Sequence, residues 1–253
     1  MTTLDPPTIL TNLTSLISSL QNNPHIHLKH HSLGPPTPPQ TLTTLSARLH
    51  LPPDIIAFYT ATSHFTVEWE YKGPKLTLAS VTNTRTPNSL KEKLKAYIKN
   101  FAPQGSINIL PLEEVFSSWE DSLWFPTETD KARGYTGWGR ADGDGEGWMY
   151  RFRHVKSFDL FMPEASVGFL MEWEEGEEVG GWVGEMMAYH YHGEELEVTD
   201  MSFRGYLERL LVARGFWAWH TLGEREVGVL AKVLFRMDGK GEYDPDSSSE
   251  WEP

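Results

Sequence analysis

The chain has 253 residues, 39% of them hydrophobic and 12% aromatic with ten Trp, which suffices to bury the core of one large domain or of a domain with extensions. Its formal net charge of −13 argues against broad nucleic-acid binding, since phosphate contacts need Lys and Arg; it favours a basic partner, and it also serves plain solubility. The absence of cysteine excludes disulfides and thiolate chemistry and fits a reducing compartment. With no signal-like N-terminal segment and no apolar run near the roughly 20 residues that span a bilayer, a soluble cytoplasmic protein is expected.

Taken in order, residues 8–20 place Ile9, Leu13, Leu16, Ile17 and Leu20 on one helical stripe, which Asn22-Asn23-Pro24 ends. Residues 25–31 alternate Ile26 and Leu28 with His25, His27 and Lys29, the pattern of a short edge strand. Gly34-Pro35-Pro36-Thr37-Pro38-Pro39 lacks donors and φ freedom, so it reads as a linker. A helix carrying Leu42, Leu45 and Leu49 follows, and the core domain is expected to begin near Gln40.

Leu51 to Tyr71 seeds that domain. Leu51-Pro52-Pro53-Asp54 opens a short helix, because proline's missing N–H would be unpaired in a first turn anyway. Thr62-Ser63-His64 ends it, and Phe65, Val67, Trp69 and Tyr71 then alternate with Thr66, Glu68 and Glu70 as a half-buried strand does. Lys72-Gly73-Pro74 suggests a hairpin turn and residues 75–79 a return strand. Within 80–106, Ser89 to Glu92 matches a capping box, with Leu90, Leu94, Ile98 and Phe101 on one side of the helix behind it. Lys91, Lys93, Lys95 and Lys99 make that helix a basic island, read chiefly as a solvated face.

Residues 107–110 predict a strand and Pro111 opens a short helix; 131–147 is glycine-rich and irregular. Residues 148–155, 167–173, 182–192 and 196–198 read as successive strands, and their short connections favour antiparallel neighbours. Ser202 caps a helix that buries Phe203, Tyr206, Leu207, Leu210 and Leu211 and stops at Gly215. A last helix, roughly 223–236, presents Val227, Leu230, Val233 and Leu234, and the polar acidic tail beyond it is expected to be disordered.

Four segments in this order resemble the SUKH superfamily, which includes a fungal regulator of cell-wall synthesis and many bacterial toxin-immunity proteins. They are Leu51 to Tyr71, Ile107 to Trp119, the Phe158-Asp159 pair leading into Val167 to Trp173, and Ser202 to Trp219. The resemblance implies an α+β fold: a single SUKH-like domain with a mostly antiparallel sheet packed with helices, plus an N-terminal helix and a C-terminal helical extension. The alternating strands support the same class. The expected division is 1–39 (N-terminal helix and Pro-rich linker), 40–219 (SUKH-like domain with insertions near 80–106 and 131–147) and 220–253 (C-terminal helix and acidic tail). Ser63-His64 stands where the family usually has an Asn-Gly turn, which puts the local turn geometry in question.

No chemistry-bearing motif competes strongly. Asp142, Asp144 and Glu146 invite a calcium-loop reading, but the twelfth position is Arg153, where a bidentate Glu is needed. His190 and His192 share a strand face while Glu185 falls on the opposite one, and His25, His27, His30 and His31 cluster separately. There is no G-x-S-x-G elbow, no P-loop and no dinucleotide fingerprint. No catalytic residue, metal ligand or cofactor is therefore assigned.

The resemblance implies a non-enzymatic protein-binding domain, and the insertions, Pro-rich stretch and acidic tail favour the fungal, regulatory branch. Glu174, Glu175, Glu177 and Glu178, with Trp173 and Trp182, form the expected contact surface for a partner protein with a basic surface. If Glu194, Glu195 and Glu197 share that edge of the sheet, the two clusters make a single acidic rim; otherwise they decorate two solvent turns. Trp69 belongs either to this face or to the core. Two alternatives are an immunity protein that neutralises a basic nuclease-like toxin and a metal-dependent enzyme of unknown reaction.

Overall fold

A computed structural model describes residues 4–82, 86–100, 103–117, 154–162, 165–172, 181–191, 195–199 and 201–235. Among them the chain is α+β, with eight α-helices and seven strands. In order these are α1 (Pro6–Gln21), β1 (Ile26–Leu33), α2 (Pro39–Leu49), α3 (Pro53–Ala61), β2 (Phe65–Tyr71), α4 (Leu78–Val81), α5 (Asn88–Asn100) and β3 (Gln104–Ile109). There follow α6 (Leu112–Val115), β4 (His154–Met162), β5 (Ala165–Glu172), β6 (Gly181–Tyr191), β7 (Glu195–Thr199), α7 (Phe203–Ala213), a 3-10 turn (Trp219–Thr221) and α8 (Glu224–Phe235). Strand order follows chain order, and β3 through β7 pair antiparallel. No helix among the described residues is long and apolar enough to cross a membrane.

The chain forms two compact units. One comprises Met1–Asn12, Ser32–Thr66 and Ile107–Leu207; the other comprises Leu13–His31, Val67–Ser106 and Glu208–Pro253.

In the first unit, Asp5 starts α1 by accepting the Thr8 N–H at 3.2 Å, ahead of two prolines in the first turn. The Pro-rich stretch is bound along its length rather than hanging free. Gly34 N–H donates to His64 O at 3.0 Å, Ser63 N–H to Pro35 O at 2.6 Å and Thr37 N–H to Tyr59 O at 3.0 Å. The Thr62 hydroxyl joins the same turn, reaching Gly34 O at 3.0 Å and His64 O at 2.7 Å, so Thr62-Ser63-His64 makes its turn through hydroxyl bonds. Ser202 caps α7 as expected, its hydroxyl accepting the Gly205 N–H at 3.1 Å.

Asp54, in the first turn of α3, ties two distant segments to that helix. It accepts the Leu4 N–H at 2.8 Å and a two-pronged contact from Arg204 at 3.0 and 3.3 Å. Burial pushes its carboxyl up, but the Arg204 and Leu4 bonds outweigh this and hold it below its ordinary value. Replacing Asp54 with Ala should cost about 1–2 kcal/mol in urea unfolding, since the ion pair is only half-buried. Because the pKa is lowered, the contribution is present above the ordinary aspartate range and is lost as acid protonates Asp54.

In the second unit, Leu13, Leu16, Ile17 and Leu20 of α1 are buried, as are Val227, Leu230, Val233 and Leu234 of α8. Arg214 and Gly215 both take left-handed φ angles, 50° and 71°, which ends α7. Residues 75–79 are not a return strand. Thr77 and Ser80 exchange hydroxyl–amide bonds at 3.0 and 3.2 Å, a reciprocal cap that starts α4. Helix α5 begins at Asn88, with Lys91 N–H bonded to Pro87 O, so Ser89 lies inside the first turn rather than at the cap. Its buried row is Leu90, Leu94 and Tyr97, which fits the 3.6-residue period better than the expected Ile98; Phe101 lies outside the described residues.

Candidate functional site

The expected contact surface is carried by the connection from β5 to β6. Trp173, Glu174, Glu175, Glu177 and Glu178 lie outside the described residues. Trp182 is the second residue of β6, where its backbone faces Met171, and Glu172 faces Gly181 at the same end of the ladder. Glu194 also lies outside the described residues, while Glu195 and Glu197 face Tyr191 and Tyr189 in the β6–β7 ladder.

This register puts the β5–β6 and β6–β7 connections at opposite ends of β6. Consecutive antiparallel connections leave a strand at opposite ends, and the 11 residues of β6 separate them. Those ends face Glu172 and Ala165 of β5, which at ~3.4 Å per residue puts them on the order of 24 Å apart. Residues 173–180 and 192–194 of the two connections lie outside the described residues.

Trp69 belongs to the core. It is fully buried, its indole N–H donates to Arg214 O at 2.7 Å, and its ring meets Phe235 edge-on at 5.4 Å. It is not part of a contact face.

Within the first unit a buried polar centre forms that sequence reasoning did not single out. Strand β4 shifts register between Ser157 and Asp159: Ser157 faces Gly168 and Asp159 faces Val167, so Phe158 is an extra residue. A bulge of this kind re-aims side chains, and here the consecutive residues Phe158 and Asp159 are both buried. Phe158 stacks on Phe169 at 4.2 Å and meets Phe203 and Tyr206 edge-on.

Asp159 takes over part of the β3–β4 ladder. Its Oδ1 accepts the Asn108 N–H at 2.7 Å, where a backbone carbonyl would ordinarily sit, while Leu110 N–H donates to Phe158 O at 2.8 Å. Its Oδ2 accepts the Tyr206 hydroxyl of α7 in a very short bond. One carboxyl group therefore clasps β3, β4 and α7. Burial pushes Asp159 up to about 6, against the opposing pull of the Tyr206 and Asn108 bonds. Tyr206 is raised well above its ordinary value by burial and then by the Asp159 charge. The neighbouring Tyr59, whose hydroxyl donates to Leu110 O at 2.9 Å, is raised by the same two causes. With 1% of its surface exposed, Asp159 holds the core together and presents no reacting face.

The remaining polar groups are placed as follows. Ser32 Oγ lies 2.9 Å from His64 Nε2 and Ser63 Oγ 3.2 Å from His64 Nδ1, at the turn that the Pro-rich stretch crosses. In the second unit His27, His30 and His31 are exposed on β1, beside a groove of about 490 Å³ lined by Gln21 and Ile26 to His31. Lys93 and Lys95 of the basic helix pair with Glu226 and Glu92 at 3.1 and 3.6 Å. His190 is in β6 opposite Ser166 and Leu196, whereas His192 and residues 142–147 lie outside the described residues. Among the described residues no three His, Cys, Asp or Glu side chains gather as metal ligands would.

No protein-family model, curated protein or solved structure matches this chain.

Proposed function

We propose that the chain is a non-enzymatic protein-binding domain of the SUKH type, acting in the cytoplasm as a regulator or scaffold in cell-wall synthesis or signalling. One observation carries the reading: residues from each of the four segments on which the resemblance rests meet in one cluster of the first unit, while 67–71 and 208–219 belong to the second. Phe58 meets Phe203 edge-on at 5.6 Å, and Tyr59 bonds Leu110. Asn108 bonds Asp159, and Phe158 packs on Phe169, Phe203 and Tyr206. Segments scattered over more than half the chain thus share one aromatic core, as the parts of a single domain do.

The contact surface of this reading is the β5–β6 connection, where four glutamates stand within five residues between Trp173 and Trp182. A basic partner would be steered to it, with an aromatic anchor on either side. Affinity capture from native cells with mass spectrometry tests this. Wild type should retain a partner that the Glu174→Lys, Glu175→Lys, Glu177→Lys, Glu178→Lys variant loses by roughly tenfold or more, and the wild-type yield should fall with salt. Equal capture by the two proteins would sink the reading of this face.

A further inference from the structure

We propose that the outer edge of β1 is a second docking site, which takes an extended acidic segment of a partner protein as an added strand. The proposal extends the protein-binding reading to an independent face, and its test does not involve Glu174 to Glu178.

β1 stands first in the strand order, with β2 on one side and no strand on the other among the described residues. It runs for eight residues, longer than edges that avoid pairing by being short. The groove along it is lined by Gln21 and Ile26 to His31, with Gln21 Nε2 3.2 Å from His31 Nε2. An extended peptide bound there would gain main-chain hydrogen bonds from the edge and side-chain selectivity from the alternating positions.

Hydrogen-bond donors select the occupant. In a chain of net charge −13, this edge carries His27, Lys29, His30 and His31, all exposed. His27, Lys29 and His31 follow one another at every second position, so they share a face of the strand. Carboxylates at alternate positions of an incoming strand would stand beside them, the arrangement that stabilises cross-strand pairs.

An edge lysine commonly serves to repel other strands. Here Lys29 reaches across to Glu68 of β2 at 3.0 Å, so its ammonium is held over the sheet rather than at the open edge. The imidazole N–H groups of His27 and His31 are donors that carboxylates of an acidic strand can accept from and apolar side chains cannot.

The test is fluorescence anisotropy at low salt with a labelled seven-residue peptide of alternating Glu and Val. Two control probes accompany it, one with the same composition in blocks and one N-methylated on alternate residues. Binding of the alternating peptide is expected, roughly tenfold weaker for the block peptide and for the N-methylated one, because both lose the strand geometry. The His27→Glu, His31→Glu variant, which leaves Lys29 and Glu68 in place, should bind roughly tenfold more weakly as well. Should that variant fail to fold by circular dichroism, the two control probes on the wild-type chain still decide. Equal binding of all three probes would mean unspecific charge attraction and overturns the proposal, as does no binding. A dimer in sedimentation that the His27→Glu, His31→Glu variant breaks would put a second copy of the chain on the edge and overturns it too.

Discussion

Replacing Asp159 with Ala is expected to lower stability by about 3 kcal/mol or more at pH 5, and by less at pH 8. The change deletes the Oδ1 acceptor of the part-buried Asn108 N–H and the Oδ2 acceptor of the buried Tyr206 hydroxyl. Leaving a buried donor unpaired costs roughly 1–3 kcal/mol each. Against this stands a relief that grows with pH. Asp159 in the folded chain titrates at about 6, above its ordinary 3.8, because burial disfavours its charge. Proton binding is tighter in the folded state, so this group's stabilising contribution is present below about pH 4 and is lost as pH rises to about 6. Beyond that the folded chain carries a buried carboxylate at a cost on the order of 3 kcal/mol.

Two further substitutions separate the clasp from the charge. Asp159→Asn keeps an acceptor for Asn108 and offers its amide to Tyr206, but does not titrate. Its stability should match or exceed wild type at pH 8, and the difference between the two should shrink toward pH 4. Tyr206→Phe removes the donor from the carboxylate, so its cost should be larger at pH 8 than at pH 5, about 1.5–3 kcal/mol for a bond to a charged group. Urea unfolding at both pH values measures all four proteins. A wild type that gains stability steadily from pH 4 to 7 relative to Asp159→Asn would show that Asp159 is ionised at little cost and would refute the argument.

Much of the fold was legible because burial imposes period. The stripe Leu13, Leu16, Ile17 and Leu20 and the alternation Phe65, Val67 and Trp69 are buried as their spacing predicts. Helix α4 was not legible, because Leu76 and Leu78 alternate as a strand would, and the two hydroxyl bonds between Thr77 and Ser80 decide otherwise. The strand predicted over 148–155 lies outside the described residues except at its end, and β4 runs from His154 through Phe158-Asp159 to Met162.

Asp159 was hidden for a related reason. Strict alternation sends consecutive residues to opposite faces, and only the extra residue in β4 brings Phe158 and Asp159 inward together. The placement of the β5–β6 and β6–β7 connections at opposite ends of β6, by contrast, was available in principle. Three strands paired in succession must place their two connections at opposite ends, whatever the side chains. The edge groove of β1 depends on the neighbouring Gln21 at the end of α1, which no local pattern announces.

Trp69→Ala is expected to cost about 3–5 kcal/mol, the usual range for emptying a large buried aromatic site. The ring is fully buried and packs edge-on against Phe235, itself covered by the Arg214 guanidinium at 4.5 Å from its centroid. Loss of the indole N–H also takes from Arg214 O its 2.7 Å donor. The ring also lies against Gly105, where an added Cβ would overlap Trp69 Cε2. Gly105→Ala should therefore cost roughly 1–3 kcal/mol by overpacking. Because both effects arise at one contact, they should not add. In a Trp69→Leu background, where the smaller side chain vacates that space, the Gly105→Ala cost should fall by about half or more. An undiminished cost would mean that Gly105 is needed for its own backbone rather than for the ring. The same geometry separates Trp69 from partner binding: Trp69→Phe, assayed below its melting temperature, should capture partner like wild type. If the folded Phe variant loses capture, the ring takes part in recognition and its assignment to the core alone fails.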